Sequence, residues 1–290
     1  MVVLKWQRMP LSSKPALHIG YFGRAGSFSH VAAERRFPKA ALSECPTVEE
    51  AFARQQAGEF THILVPIENA SSGIIMNTAD QLMRLAKSDA GRERQIREAL
   101  AMPVEYVLLA RADTKRVGKI YSHRAPFDHS RDWLAKFFPE AEQVIVESTS
   151  EAAALAARER GAAAIAGTQA LQKGLRILRR NVGSEIANQT TFILVGPALA
   201  RAARPTHTSI VFELPHKPGS LVAVMNVLAR RGLNLTKILS RPIPGRFSEY
   251  RFMIEFQGAA NGEPARVALA RIAKITDFLA VIGSYPVRKI

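Results

Sequence analysis

The stretch HILVPIENASSG, residues 62–73, decides how the first part of the chain folds. Its first six residues are mostly apolar and form the kind of short run that predicts a buried strand. A carboxylate, an amide and two hydroxyls follow at Glu68, Asn69, Ser71 and Ser72. In sheets covered by helices, ligands bind where strands end, so this polar group predicts a binding site. A solvent-exposed turn has the same composition, and both interpretations stay open from this segment alone.

Strands and helices alternate on both sides of this stretch. We expect strands at 17–22, 40–43, 119–122, 143–146, 162–166 and 191–195, and an extended segment at 95–111 with a break at Pro103. We expect helices at 29–37, 76–86 and 127–138, and two further helices that begin at the capping boxes 47–50 and 148–151. This alternation is typical of an α/β fold with helices on both faces of mixed or parallel sheets.

The composition changes at 197–205, PALARAARP, which lacks helical periodicity and predicts a linker over 197–206. Beyond it the expected elements are a strand at 208–214, a helix at 219–231, strands at 233–240 and 248–257, a helix at 263–275 and a strand at 278–283. This βαββαβ order is that of the ferredoxin-like unit. We therefore expect a disordered leader at 1–16, a first domain at 17–196 and a second at 207–290.

Composition narrows the class of protein. Hydrophobic residues make up 47% and charged residues 22%, as in a packed globular protein. Neither a membrane span of about 18 apolar residues nor a secretory signal is recognisable in the sequence. The lone Cys45 has no partner for a disulfide or a zinc site. We therefore expect a cytoplasmic protein without a metal. The net charge of +15 is spread along the chain without a nucleic-acid-binding motif, and it indicates a basic surface that attracts small anions. We expect no nucleic-acid or membrane partner.

Three further segments carry a family resemblance. They are GRAGSFSHVAA at 23–33, YSHRAPFDHS at 121–130 and NQTTFILVG at 188–196. Together with PIENASSG at 66–73 they resemble the prephenate dehydratase family, and ELPHKPGSLVAVMNVLARRGLNLTKILSRP at 213–242 resembles the ACT regulatory domain attached to that enzyme. The resemblance implies an α/β fold: a two-lobed, periplasmic-binding-protein-like catalytic domain with a cleft, followed by a ferredoxin-like ACT domain.

The resemblance also implies site residues. The positions that match the family's catalytic residues are Glu68, Asn69, Ser122, Glu147 and Thr190, and those expected at the substrate are Gly26, Ser27, Ser71, Arg124, His129, Thr191 and Phe192. Three positions depart from the family. Its Thr-Arg-Phe motif reads Thr190-Thr191-Phe192, its Pro-Gln after Ser-His reads Arg124-Ala125, and a later Gln is His129. The missing arginine calls substrate binding into question, and Arg124 or His129 is the expected replacement.

The family's reaction defines what the site must do. Prephenate loses CO2 from one ring carbon and hydroxide from the opposite one, and aromatisation drives the reaction, so no redox or metal cofactor is expected. Hydroxide is a poor leaving group that needs a donor, and the Thr190 hydroxyl is the expected one. We expect Asn69 and Ser122 to orient the substrate, while Glu68 and Glu147 either contact it or orient neighbouring donors.

ACT domains of this family pair side by side and bind phenylalanine between them, which implies a homodimer or homotetramer. The matching positions are Gly219, Ser220, Leu221, Asn234, Leu239, Ser240 and Arg241. Leu239 stands where the family has a Glu. The expected function is conversion of prephenate to phenylpyruvate in L-phenylalanine biosynthesis, with feedback by phenylalanine. The alternatives are a non-aromatising prephenate decarboxylase, an arogenate dehydratase and a non-catalytic small-molecule-binding protein.

Overall fold

The structure is a computed structural model that describes residues 17–183, 188–200 and 202–290, so the expected leader at 1–16 lies outside the described residues. The strands are β1 (His18–Phe22), β2 (Ala41–Cys45), β3 (His62–Asn69), β4 (Gly73–Ile74), β5 (Gln95–Pro103), β6 (Tyr106–Arg111), β7 (Lys119–Ser122), β8 (Glu142–Ile145), β9 (Ala162–Gly167), β10 (Leu175–Arg179), β11 (Gln189–Gly196), β12 (His207–Glu213), β13 (Leu235–Pro242), β14 (Tyr250–Gln257), β15 (Phe278–Tyr285) and β16 (Val287–Lys289). The helices are α1 (Phe28–Arg36), α2 (Val48–Gln56), α3 (Met76–Leu85), α4 (Arg124–His129), α5 (Arg131–Phe137), α6 (Thr149–Arg158), α7 (Ser220–Ala229) and α8 (Glu263–Ile272).

Side-chain caps explain where several helices begin. Helices begin at both predicted capping boxes, because the Thr47 and Ser148 side chains accept from the third amide of their helices. The Glu151 carboxylate also reaches back, to the Glu147 amide, whereas the Glu50 carboxylate accepts from Arg54 instead. The single helix expected at 127–138 is instead α4 and α5, separated at Ser130. The reason is local: His123 caps an earlier start at Arg124, and the buried Ser130 leaves helical geometry, where its hydroxyl donates to the Val182 carbonyl at 3.5 Å.

The first domain has two lobes, which confirms the expected α/β architecture. Lobe 1 contains strands in the order β2-β1-β3-β11-β5, and lobe 2 contains the order β10-β6-β9-β7-β8. In lobe 1, β1 runs parallel to β2 and β3, while β11 runs antiparallel to β3 and β5. The chain crosses between the lobes twice, from β5 to β6 and from β10 to β11. The ends of β3 and β11 that carry polar residues therefore lie beside the second lobe.

The two faces of the lobe 1 sheet bury alternate residues of the same strands. Leu64 and Phe192 pack with α1 on one face, whereas Val65 and Ile193 pack with α2 and α3 on the other. This follows from the two-residue repeat of a strand, which sends successive side chains to opposite faces. Neighbouring residues at the ends of β3 and β11 are separated in the same way.

The C-terminal domain has the predicted βαββαβ order, with its strands arranged β13-β14-β12-β15. Helices α7 and α8 cover one face of this sheet, where Val224 and Ile272 share a core with Phe212. The other face lies on lobe 1, since Met253 and Tyr285 share a core with residues of β3, β5 and α3. The C-terminal domain is therefore packed directly behind the sheet that carries Asn69 and Thr190.

Three strands were not predicted, and one of them is the two-residue β4, which pairs antiparallel with β3. β10 pairs antiparallel with β6, and β16, at the end of the chain, pairs parallel with β5 of lobe 1. The carboxylate of Glu98, which is 2% exposed, accepts from Arg36 at 2.8 and 3.0 Å and from Arg288 of β16. The segment 207–290, expected as one domain, thus ends in a strand of the neighbouring sheet. Within the described residues, we find no helix with the length and apolar character of a membrane span.

Candidate active site

Asn69 and Thr190 stand opposite each other on β3 and β11, at the edge of lobe 1. Asn69 Nδ2 donates to Thr190 Oγ1 at 2.9 Å and to Asn188 Oδ1 at 2.8 Å. Asn69 Oδ1 accepts from the amides of Ser71 at 3.0 Å and Ser72 at 3.1 Å. Both hydrogens of the Asn69 amide are therefore used, and its orientation is fixed. Because Thr190 Oγ1 accepts from Asn69, its own proton is free to point at another acceptor.

His129 reaches this group from lobe 2. Its Nδ1 lies 2.7 Å from Ser71 Oγ, and its ring packs edge-on against Tyr106 with 5.6 Å between ring centroids. Burial lowers the pKa of His129 below its ordinary value, so the neutral imidazole is favoured at neutral pH. The His129–Ser71 contact therefore links the two lobes across the end of β3.

Asn188 completes the group, although no role was predicted for it. It is 7% exposed, and its Oδ1 accepts from Asn69 and, at 3.3 Å, from Ser71 Oγ. Its Nδ2 is buried and makes no hydrogen bond of ordinary geometry within the described residues. Burial raises the pKa of Tyr106 to about 12, and the Asn188 side chain acts against that shift, which places the Tyr106 hydroxyl beside the same amide. A buried amide that lacks an acceptor favours a polar ligand at this point.

A second polar region lies between the Gly-rich turn after β1 and lobe 2. Gly26 has a φ of +77°, which favours glycine. A Cβ atom on Gly26 would lie 3.7 Å from the Gln169 carbonyl oxygen and 3.9 Å from Ser150 Oγ. Ser150 Oγ and Gln169 Nε2 are buried without a hydrogen-bond partner among the described residues. Both residues follow lobe 2 strand ends, which was the signal in the sequence, but neither was predicted.

Comparison with known proteins decides the family. The family model described as prephenate dehydratase matches residues 19–199, and the model described as ACT domain matches residues 208–273. The chain belongs to the prephenate dehydratase family. This confirms the resemblance seen in the sequence motifs.

Individual proteins agree with this assignment. A bifunctional chorismate mutase/prephenate dehydratase from Aquifex aeolicus is 30% identical over 279 residues, covering 95% of this chain and 75% of the relative. The crystal structure of a prephenate dehydratase from Arthrobacter aurescens in complex with L-Phe has a TM-score of 0.81 and 30% identity, and the match covers 93% of this chain and 90% of that one. A structure described as a quorum-quenching acylase, GqqA, has a TM-score of 0.79 at 24% identity and covers 93% and 98%. At that identity the likeness shows the fold alone.

Several residues expected at the prephenate dehydratase site lie elsewhere. Ser122 is fully buried, and its hydroxyl donates to the Ile165 carbonyl at 2.7 Å, so it joins β7 to β9. Phe192 is 1% exposed and packs in the lobe 1 core under α1, which leaves none of its ring for a ligand. Ser27 caps α1 by accepting from the His30 amide at 3.2 Å. These three side chains have structural roles.

The charged candidates in lobe 2 lie at the surface. The Arg124 side chain is 75% exposed, and its Nε lies 3.7 Å from Asp128 on the same helix. Glu147 is exposed, and its amide donates to Glu151 Oε2 at 3.1 Å in the capping box of α6. Of the two suggested replacements for the family's arginine, only His129 contacts Ser71, whose amide donates to Asn69.

Glu68 and Thr191 face away from the cleft, because each is the immediate neighbour of a residue that faces it. They pair with each other in the ladder of β3 and β11. The Glu68 carboxylate lies 3.2 Å from Lys237 Nζ of the ACT domain. The position of the family's missing arginine, Thr191, therefore lies toward the ACT domain, and its loss leaves the Asn69–Thr190 pair intact.

The residues expected to bind the effector are divided between two places. Leu239 packs against the lobe 1 core, and Arg241 pairs with Asp80 of α3 at 2.7 and 2.8 Å. The remaining residues lie in the ACT domain itself. Gly219, with φ +82°, precedes α7, the Ser220 hydroxyl donates to the Pro215 carbonyl at 2.8 Å, and Leu221 packs against the core under α7 and α8. The Asn234 amide donates to Gln257 at 3.4 Å, and Ser240 is exposed. Strand β13 thus connects the expected effector site with lobe 1.

A cavity of about 490 Å³ lies on lobe 2. It is lined by Lys115, Arg116, Phe137, Arg176 and Arg179 among others, and it contains none of the predicted site residues. No group of three His, Cys, Asp or Glu side chains in the described residues is arranged to hold a metal. The side chains that meet at the Asn69–Thr190 pair carry hydroxyl, amide and imidazole groups.

Proposed function

We propose that this enzyme converts prephenate to phenylpyruvate by decarboxylation and dehydration. The observation that carries the proposal is the hydrogen bond from Asn69 to Thr190, which leaves the threonine proton free for a leaving group. Thr190 is 8% exposed, so the hydroxyl lies where water screens little of a developing charge. Membership of the prephenate dehydratase family supports the same reaction.

The electron balance of the reaction assigns the role of Thr190. The bond between the ring and its carboxylate breaks, CO2 leaves, and the electron pair enters the ring. The ring C–O bond breaks on the opposite side, and hydroxide leaves as the ring becomes aromatic. Negative charge grows on the departing oxygen, and we assign the Thr190 hydroxyl as the donor that stabilises it. Asn69, with both amide hydrogens engaged, is a positioning residue for Thr190.

Neutral donors remain for the rest of the substrate. Prephenate carries a second carboxylate on its side chain, and Asn188 Nδ2, Ser150 Oγ and Gln169 Nε2 are buried with unused hydrogen-bonding capacity. The free amides at the start of α6 lie beside Ser150, and such helix starts bind anions. We infer that these groups orient the substrate, and that the lobes open for it to enter and close around it.

We also propose that L-phenylalanine inhibits the enzyme through the ACT domain. The relative from Arthrobacter aurescens is described as a complex with L-Phe. In this chain β13 is the end strand of the ACT sheet, and Ile238 on it is 46% exposed, which fits pairing with a second copy into a homodimer or homotetramer. The cytoplasmic location stays a prediction.

Turnover of purified enzyme tests the proposal. We expect prephenate to give an aromatic product and CO2 in equal amounts, and the rate to fall when L-phenylalanine is added. A non-aromatic product with CO2 release identifies the decarboxylase alternative, and a preference for arogenate identifies the arogenate dehydratase. Prephenate binding without any product identifies the non-catalytic alternative and refutes the proposal.

A further inference from the structure

A polar network joins the ACT domain to the end of β3; it is buried at Glu255 and Tyr285 and 35% exposed at the Glu68 side chain. At its centre is Lys237 of β13, whose Nζ lies 2.7 Å from the Glu255 carboxylate and 3.2 Å from the Glu68 carboxylate. Glu255 also accepts from Thr236 at 2.7 Å and from the Tyr285 hydroxyl at 2.7 Å. Tyr285 is 1% exposed. The Glu255 carboxylate that holds the ammonium group is therefore itself fixed by buried partners.

The charges of this network reinforce one another. Burial alone would lower the pKa of Lys237, but Glu255 and Glu68 outweigh it and raise the pKa above its ordinary value. Burial likewise acts to raise the pKa of Glu255, and Lys237 with the neighbouring hydroxyls lowers it instead. Lys237 and Glu255 are therefore charged at neutral pH. The removal of Lys237 would leave a buried carboxylate without its cation, which is a costly arrangement.

Glu68 connects this network to the active site. It directly precedes Asn69, and its cross-strand partner Thr191 directly follows Thr190. The β3–β11 ladder shifts register between Thr191 and Phe192, so regular pairing is interrupted next to this point. A cavity of about 20 Å³, enough for about one water, also lies here, between Thr191, Lys237 and Glu255. Sheet pairing and side-chain packing therefore do not fully restrain the position of the end of β3.

We propose that Lys237 is a positioning residue for the active site, which acts by holding Glu68 and thereby fixing Asn69 and Thr190. This rests on the proposed function for its catalytic consequence. Lys237 lies on the same strand as Leu239, Ser240 and Arg241, the expected effector residues. A ligand that displaces β13 displaces Lys237 with it, which gives the ACT domain a short physical route to the Thr190 hydroxyl.

A second ion pair supplies a matched control. Arg241 of β13 and Asp80 of α3 also join the ACT domain to lobe 1, with two bonds at 2.7 and 2.8 Å. Among the residues that the structure describes, Asp80 pairs with Arg241 and makes no hydrogen bond or ion pair with the segment 68–71 that carries the site. Asp80→Asn therefore weakens the same interface without loosening Glu68.

Kinetics of the full-length chain test the proposal. We expect Lys237→Met to lower kcat about tenfold with little change in KM, because misplaced catalytic groups lose rate rather than binding. We expect Asp80→Asn to keep the wild-type kcat and Lys237→Arg to recover part of it. The double variant Glu68→Gln/Lys237→Met should be no slower than Glu68→Gln alone, because both changes break one link. A wild-type kcat in Lys237→Met, or losses that multiply in the double variant, overturns the proposal.

Hydrogen exchange gives a test that does not need turnover. The amides of Ser71 and Ser72 donate to Asn69 Oδ1 and report directly on its position. We expect a peptide spanning 68–73 to exchange faster in Lys237→Met and in Glu68→Gln, which keeps the Lys237–Glu255 pair, but not in Asp80→Asn. A wild type that does not turn over prephenate refutes the proposed function alone. Unchanged exchange in both Lys237→Met and Glu68→Gln refutes the role of Lys237.

Discussion

Replacement of Thr190 by valine tests the catalytic role of its hydroxyl with little change to the packing of the protein. Valine has nearly the same shape, so the change removes the acceptor of Asn69 and the free proton without opening a cavity. Asn69 keeps its bond to Asn188 at 2.8 Å and loses the one at 2.9 Å. An unpaired buried amide hydrogen costs about 1–3 kcal/mol, against a total stability of about 5–15 kcal/mol for a typical domain. We therefore expect the variant to fold, with a modestly lower melting temperature.

The catalytic loss should be much larger than the loss of stability. Removal of one donor to a developing oxyanion typically raises the barrier by about 3–4 kcal/mol, which corresponds to a kcat lower by about 10²–10³-fold. The assay is the formation of aromatic product from prephenate, with stability followed by thermal unfolding of the same samples. Thr190→Ser keeps the hydroxyl and is the control, and we expect it to retain most of the activity.

Two results would refute this reasoning. Thr190→Val with turnover within a few-fold of wild type would show that another group assists the leaving hydroxide. Thr190→Ser as slow as Thr190→Val, with both proteins folded, would show that the methyl packing of position 190 matters and the hydroxyl does not.

Three further predictions follow from the site and the fold. Arg124→Ala should keep wild-type kcat and KM, because the Arg124 side chain is 75% exposed. His129→Ala should lower turnover about tenfold or more, because it removes the link to Ser71. Equal kinetics in the two variants would contradict this prediction. The pKa of His129 is lowered by burial, so the unfolded chain binds its proton more readily, and the stability that the neutral imidazole provides is lost as the pH falls below about 6.5. Melting temperatures between pH 8 and 5, about the range of histidine titration, should therefore fall less in His129→Gln than in wild type, and parallel curves would refute the assignment. Arg288→Met should lower the free energy of unfolding, measured by urea denaturation, by about 1–3 kcal/mol. The reason is that Glu98 loses one of its two cationic partners and keeps only Arg36. An unchanged free energy of unfolding would show that β16 does not pair with β5 in solution.

Most of the fold could be predicted from the sequence, because hydrophobic periodicity and caps are local signals. The buried run at 62–67, the break at Pro103 and both capping boxes lie where they were expected. β10 was missed because Arg176 and Arg179 interrupt its short run of apolar residues. β16 was missed because a three-residue strand has no periodicity of its own and forms only against β5.

The candidate site was predicted less evenly. Asn69, Ser71, Thr190 and His129 were all predicted from the sequence, and the structure brings these four together. It did not reveal that Glu68 and Thr191 point the other way, since the face that a strand residue occupies depends on register and on what packs on each side. No role was predicted for Asn188, although it lies within the NQTTF motif. The burial of its amide depends on Tyr106 and Asn69, which are distant in the sequence.

The parallel pairing of β16 with β5 has a practical consequence for handling the protein. The last residues of the chain fill the outer edge of β5, and the Ile290 amide donates to the Ala101 carbonyl at 3.1 Å. An affinity tag or fusion partner added after Ile290 would start beside the sheet of lobe 1. Such an addition is expected to displace β16 and to expose the edge of β5, which favours aggregation. A regulatory domain excised at residue 206 would take with it a strand that its neighbour needs.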